Sequence, residues 1–408
     1  MTEIDDSRQL RRRRKEEMVI HKTRGRGLRQ FRAGLMAGTA LSVGMLAYGG
    51  QAVALNECGP GNTVICIGSF TPGLLTNGGI EYILGNQDFT LDLGDGQTPT
   101  GVVSEDRILQ PGHGISLISF GSGDISVNIN EMSSIVAEQD GVVIVSEDSN
   151  PGNIAVTNNS SIIAGGIGIN VASGFPGVLP GGDITITNNK LIQSNGNSIN
   201  AWSATGDVEI TNTGELISNA GSGIVVADPL TGLGPNGGTT LVTNEGTIDA
   251  DQLGILVLTD GAATVENSGS IVGGQGGILA ISVGDRAGVN HSGSITADNG
   301  PGILALGATG VDIDGDGTVT ANNGPGVVGL AGGNVFIDTG TVNATGGSGI
   351  FGLSFGGNVD IDAGTTTASN GLAGVVGVSL GGNVVVNSGE TEAENVLAAV
   401  AGVSLGGN

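Results

Sequence analysis

The sequence predicts an all-β fold, a parallel β-helix (solenoid) of about 12 coils with a period of about 25 residues, and three observations lead to it. The first is composition: 78 of 408 residues are Gly, 38% are hydrophobic, 13% are charged and 3% are aromatic. A soluble domain normally carries about a quarter charged residues and about 7% Gly, so an ordinary compact enzyme is a poor match. Collagen is excluded because Gly has no three-residue period and Pro is only 11. Disorder is disfavoured by the hydrophobic content.

The second observation is a five-residue apolar string that recurs from residue 114: GISLI at 114, GVVIV at 141, GIGIN at 166, SINAW at 198, GIVVA at 223, GILVL at 254, GILAI at 277, GILAL at 302, GVVGL at 326, GIFGL at 349, GVVGV at 374 and AVAGV at 399. Successive starts lie 27, 25, 32, 25, 31, 23, 25, 24, 23, 25 and 25 residues apart. The two long intervals hold the Gly- and Pro-bearing inserts GFPGVLPGG and PLTGLGPNGG, which read as loops leaving a constant frame.

The third is a period-two string inside each unit, as in GDITITN (182–188), GDVEITN (206–212) and GNVDIDA (357–363), which marks a half-buried strand. A Gly follows at 214, 246, 269, 293, 317, 340, 364 and 389, then a third short string such as ELIS, TIDA or SITA. Three short strands cannot bury a core within one unit, but they can if each unit is one coil stacked on the next. The corner glycines are expected to take positive φ. Charge is scarce because an identical charge one coil away would lie about 4.8 Å distant. The second string position, Ile or Val in all 12 units, is expected to point inward, so that Ile255, Ile278, Ile303 and Val327 form one ladder. Helical solenoids fail for want of a 3.6-residue period, and a hairpin-built β-sandwich is the remaining alternative.

In chain order, residues 1–54 read as an extended signal peptide. Arg11-Arg12-Arg13-Arg14-Lys15 precede the apolar stretch 33–48, which is shorter than a bilayer span, and Ala52-Val53-Ala54 places cleavage after Ala54. Residues 55–113 fall outside the repeat frame and read as an N-terminal capping segment, and residues 114–408 as the repeats. Cys58 and Cys66 are the only cysteines, and export favours a disulfide between them over a lipid anchor or a zinc site. Of the 14 Lys and Arg, 11 lie in the first 32 residues, leaving 34 carboxylates against 3 basic groups from Leu55 onward. Nucleic acid is thereby disfavoured as a partner.

Taken together, the long basic signal, the segment Cys58-Gly59-Pro60-Gly61-Asn62-Thr63-Val64-Ile65-Cys66 and the stacked repeats resemble the passenger domains of autotransporters, type V secreted proteins of Gram-negative bacteria, of the Gly- and Asn-rich kind. The resemblance implies display at the cell surface or outer membrane, or release, with a structural or adhesive role. It also implies a C-terminal outer-membrane β-barrel as partner. The chain departs from the pattern by stopping partway into a repeat, at AGVSLGGN, without that barrel, so a fragment is expected, with a solenoid exported by another route as the alternative.

Catalysis has few candidates. His113 sits between two glycines and His291 falls in the register of Asn267, which suits corner residues. A carbohydrate-active enzyme using two carboxylates is the rival function. Asp312-Ile313-Asp314-Gly315-Asp316-Gly317 matches only the first half of a calcium loop, with Asn323 at its twelfth position. Asp314, Asp338 and Asp362 precede the turn Gly in successive units and should stack as a column, either screened by water or bridged by calcium, the only cofactor considered. From residue 254, every position of the apolar string is apolar or Gly. Either this is core of loosely specified parity, with position 4 shrinking to Gly329, Gly352, Gly377 and Gly402 to make room for the opposite face, or an exposed apolar stripe contacts another molecule.

Overall fold

The computed structural model describes residues 53–54, 58, 62–67, 69–70, 79–104, 112–175, 178–227 and 236–407. Among them every regular element is a strand. The chain winds through about 13 turns of a parallel β-solenoid with a period of about 25 residues. Each turn contributes one strand to each of three faces. Ile199–Ser203, Val208–Asn212 and Glu215–Ser218 make up one turn, and the next stacks on it in register (Ile199 on Ile224, Val208 on Thr240, Leu216 on Ile248). The first face is a 14-stranded sheet. The second and third join into one sheet because Asn334–Gly346 and Val359–Ser369 run through the corner between them as single strands.

Ladders of β-branched side chains fill the interior, where a repeated buried site favours stiff χ1 rotamers. Ile255, Ile278, Ile303 and Val327 are consecutive partners on the first face, and all are buried, as the string predicts. The fourth position of that string also points inward and shrinks along the chain, from Val257 through Ala280 and Ala305 to Gly329 and Gly352. Val311, Val335 and Ile337 of the second face occupy the space at Gly329.

Three sequence expectations need correction. The string placed at 166 begins at Gly168: Ile169, not Ile167, pairs with Val142 and is buried. The frame also does not start at residue 114. Ile80–Leu84, Phe89–Leu93 and Thr100–Ser104 pair in parallel with the three strands of the next turn, and Thr63–Cys66 pairs with Phe89–Leu93, so much of 55–113 is solenoid and not a separate cap. Lastly, positive φ among described glycines is confined to Gly94, Gly96, Gly174, Gly315 and Gly346. The corner glycines do stack in a column, but they are required by close approach. A Cβ on Gly340 would meet the carbonyl oxygens of Asp316 and Gly317, and one on Gly364 the carbonyl oxygen of Gly340.

Residues 1–52 of the expected export segment 1–54 lie outside the described residues. Val53–Ala54 runs antiparallel to Ile80–Leu84 at the start of the first face, so cleavage after Ala54 would detach this strand. Cys58 and Cys66 are joined, with Cα atoms 5.2 Å apart, beside this first turn.

Candidate binding face

The three faces differ in what they show to solvent. Outward positions on the second face are Thr157, Thr187, Thr211 and Thr243 in one column, followed by Glu266, Asn290, Asp314, Asp338 and Asp362. The third face shows Ser270, Ser294 and Thr318 in one column and Asp249, Val272 and Thr296 in the next, which carries the exposed Val136 and Ile163 in earlier turns. Polar and acidic side chains there hydrogen-bond water and cost nothing to expose.

The first face is different from Leu253 onward. One outward column runs Leu256, Leu279, Leu304, Val328, Phe351 and Val376. A second runs Leu258, Ile281, Leu306, Leu330, Leu353 and Val378. Nearly all of these are half-buried, each flanked by its copies one coil away. A third column lies one residue beyond these strands, at the corner: Val283 (55% exposed), Ala308, Gly332, Phe355 (59%) and Leu380 (41%). Because Ala308 and Gly332 are small, a notch opens between Val283 and Phe355, floored by Leu306 and Leu330. Corner rigidity comes from the serines: Ser354 Oγ donates to Gly333 O at 2.6 Å and accepts from Gly357 N at 2.7 Å, and Ser379 repeats the pattern.

In the preceding turns the same face is closed. Asn170, Asn200, Trp202 and Val225 occupy outward positions yet are buried. The two inserts leave the frame directly after these strands. From residue 254 onward positions 2 and 4 of the string point inward and positions 3 and 5 outward, so the outward side chains form a half-exposed apolar stripe, whereas Asn170, Asn200, Trp202 and Val225 are buried.

Asp314, Asp338 and Asp362 fall in consecutive turns at one corner, with Asp338 opposite Asp362. Burial and the charges of Asp362 and Asp314 hold the Asp338 carboxyl above its ordinary value. Asn387 Nδ2 donates to Asp362 Oδ1 at 3.2 Å where the column ends, and Arg286 pairs with Asp312 at 2.7 Å on the adjacent column. Among the described residues no group of three or more His, Cys, Asp or Glu is arranged to hold a metal ion.

A second ladder escaped the sequence reading. Asn158, Asn188, Asn212, Asn244 and Asn267 are buried at the corner after the second-face strands, each amide donating to the next carbonyl at 2.7–2.8 Å. The recurring Thr-Asn in ITITN, VEITN and TLVTN was its signal.

His291 takes the next position, opposite Asn267, and is buried with both ring nitrogens lacking a partner. Burial lowers its pKa from the ordinary 6.5, against the opposing charges of Asp316 and Asp314. The unfolded chain then takes up a proton that the folded chain resists, so stability falls as pH drops below about 6.5. His291→Asn is expected to remove this acid sensitivity and to raise stability at neutral pH by about 1 kcal/mol by extending the ladder. Urea titrations at neutral and mildly acidic pH check both effects.

Compared with known proteins, the chain matches no family model, no curated protein and no solved structure.

Proposed function

We propose that this chain is an exported solenoid with a structural or adhesive role, displayed at or released from the surface of a Gram-negative cell, and that the open apolar part of its first face is the element through which it holds other molecules. The observation that carries this reading is the contrast between faces beyond residue 253: the second and third are mainly polar with isolated apolar side chains such as Val272 and Phe336, and the first presents three apolar columns over consecutive coils. Contiguous apolar surface beyond a few hundred Å² marks an interaction site on a soluble protein. The basic segment ahead of 33–48 and the Ala52-Val53-Ala54 site support export.

The test is expression of the tagged chain in a Gram-negative host. The chain should leave the cytoplasm and be released with the periplasm, or be digested by protease on intact cells where an outer-membrane barrel is fused to it, and N-terminal sequencing should read from Leu55. A full-length chain protected inside the cytoplasm would end the export reading.

A further inference from the structure

We propose that the open apolar face is a self-association surface, on which two copies of this chain pack sheet to sheet with their solenoid axes antiparallel. The charge distribution selects a second copy as the occupant. Beyond Leu55 the chain is strongly acidic, and no Lys or Arg follows Arg286, so most approaches between two copies bring carboxylates together. The three columns carry no Asp or Glu from Val283 to Leu405, and Asp260, one coil before Val283, is their one carboxylate over the seven coils, at the rim. This face is where two such molecules can meet without that repulsion.

Shape points the same way. A two-fold axis lying in the interface, across the solenoid near Gly332, maps each column onto itself with its direction reversed. Phe355, the largest projecting side chain of the third column, then enters the notch of the partner beside Ala308, and the partner's Phe355 does the same in return. Seven coils at about 4.8 Å and three columns about 7 Å apart span roughly 34 by 20 Å, close to the roughly 800 Å² per partner of a standard interface. Corrugated sheet faces interdigitate at about 10 Å separation in just this manner.

The experiment is analytical ultracentrifugation of the full chain at micromolar concentration, alone and with zwitterionic vesicles. A dimer is expected, with Phe355→Ala and Leu330→Glu each weakening it by about tenfold or more while leaving the melting temperature of the dilute monomer unchanged, since both side chains point outward. Leu330 lies beside the axis, so Leu330→Cys should give an oxidised dimer, whereas Leu258→Cys, far from the axis, should not. A monomer throughout, a dimer indifferent to both substitutions, or a monomer that floats with the vesicles would each overturn the proposal. The inference is independent of export: a dimer that is never secreted would sink the reading above and leave this one standing.

Discussion

Gly302→Ala is expected to destabilise the solenoid by about 3 kcal/mol, as an over-packed core position does. Gly302 opens a first-face strand and faces the interior. A Cβ there would collide with Val319 Cγ1 of the third face and come within 2.7 Å of the carbonyl oxygen of Gly326 on the next coil. Neither can yield, because Val319 is buried in its own ladder and Gly326 is hydrogen-bonded to the coil above it. Gly288→Ala is the control. It lies on the second face with no atom nearer than 3.9 Å to its prospective Cβ, and should be neutral or stabilising by up to about 0.5 kcal/mol through the unfolded chain. Guanidinium midpoints of the two variants decide the matter; equal midpoints would show that the columns of Gly are compositional and not steric.

The second large effect belongs to Asn212. Its amide donates to Asn244 Oδ1 and its carbonyl accepts from Asn188, both at 2.8 Å, and the side chain is buried. Asn212→Ala strands a donor on one neighbour and an acceptor on the other, each in an interior that water does not reach, and about 3 kcal/mol should be lost. Thr211→Ala, one residue earlier and outward, should cost less than about 0.5 kcal/mol. Asn212→Asp tests the mechanism: it keeps the acceptor and the shape but cannot donate once ionised, so it should be less stable than wild type above the carboxylate pKa and recover as the pH falls through it.

The sequence made the first-face ladder readable because uniform β-branching at one position of a recurring string has few other causes. It misled at 166 because Gly166-Ile167-Gly168-Ile169 offers the same dipeptide twice, and only cross-coil pairing with Val142 distinguishes them. The turn before residue 114 was missed although Gly79-Ile80-Glu81-Tyr82-Ile83 fits the string, since the long stretch up to Gly114 breaks the period. Glycine frequency suggests positive φ at the corners, whereas its cause is the proximity of backbones, which a single chain does not display. The apolar columns were visible as letters. Which of them face outward, and that outward Trp202 and Val225 are buried on the same face in the two turns before, follows only from the register and the surrounding structure.

Stacking by coils also sets the kinetic problem this chain solves. The four asparagine pairs of the ladder are separated by 30, 24, 32 and 23 residues, although the ladder as a whole spans from Asn158 to Asn267. The entropy of closing a loop grows only with the logarithm of its length, about 0.6 kcal/mol per doubling, and here the loop is one coil wherever on the axis it closes. Parallel sheets are ordinarily slow because distant segments must meet. In this topology relative contact order falls as coils are added, so each completed coil is a template whose successor faces the same small search.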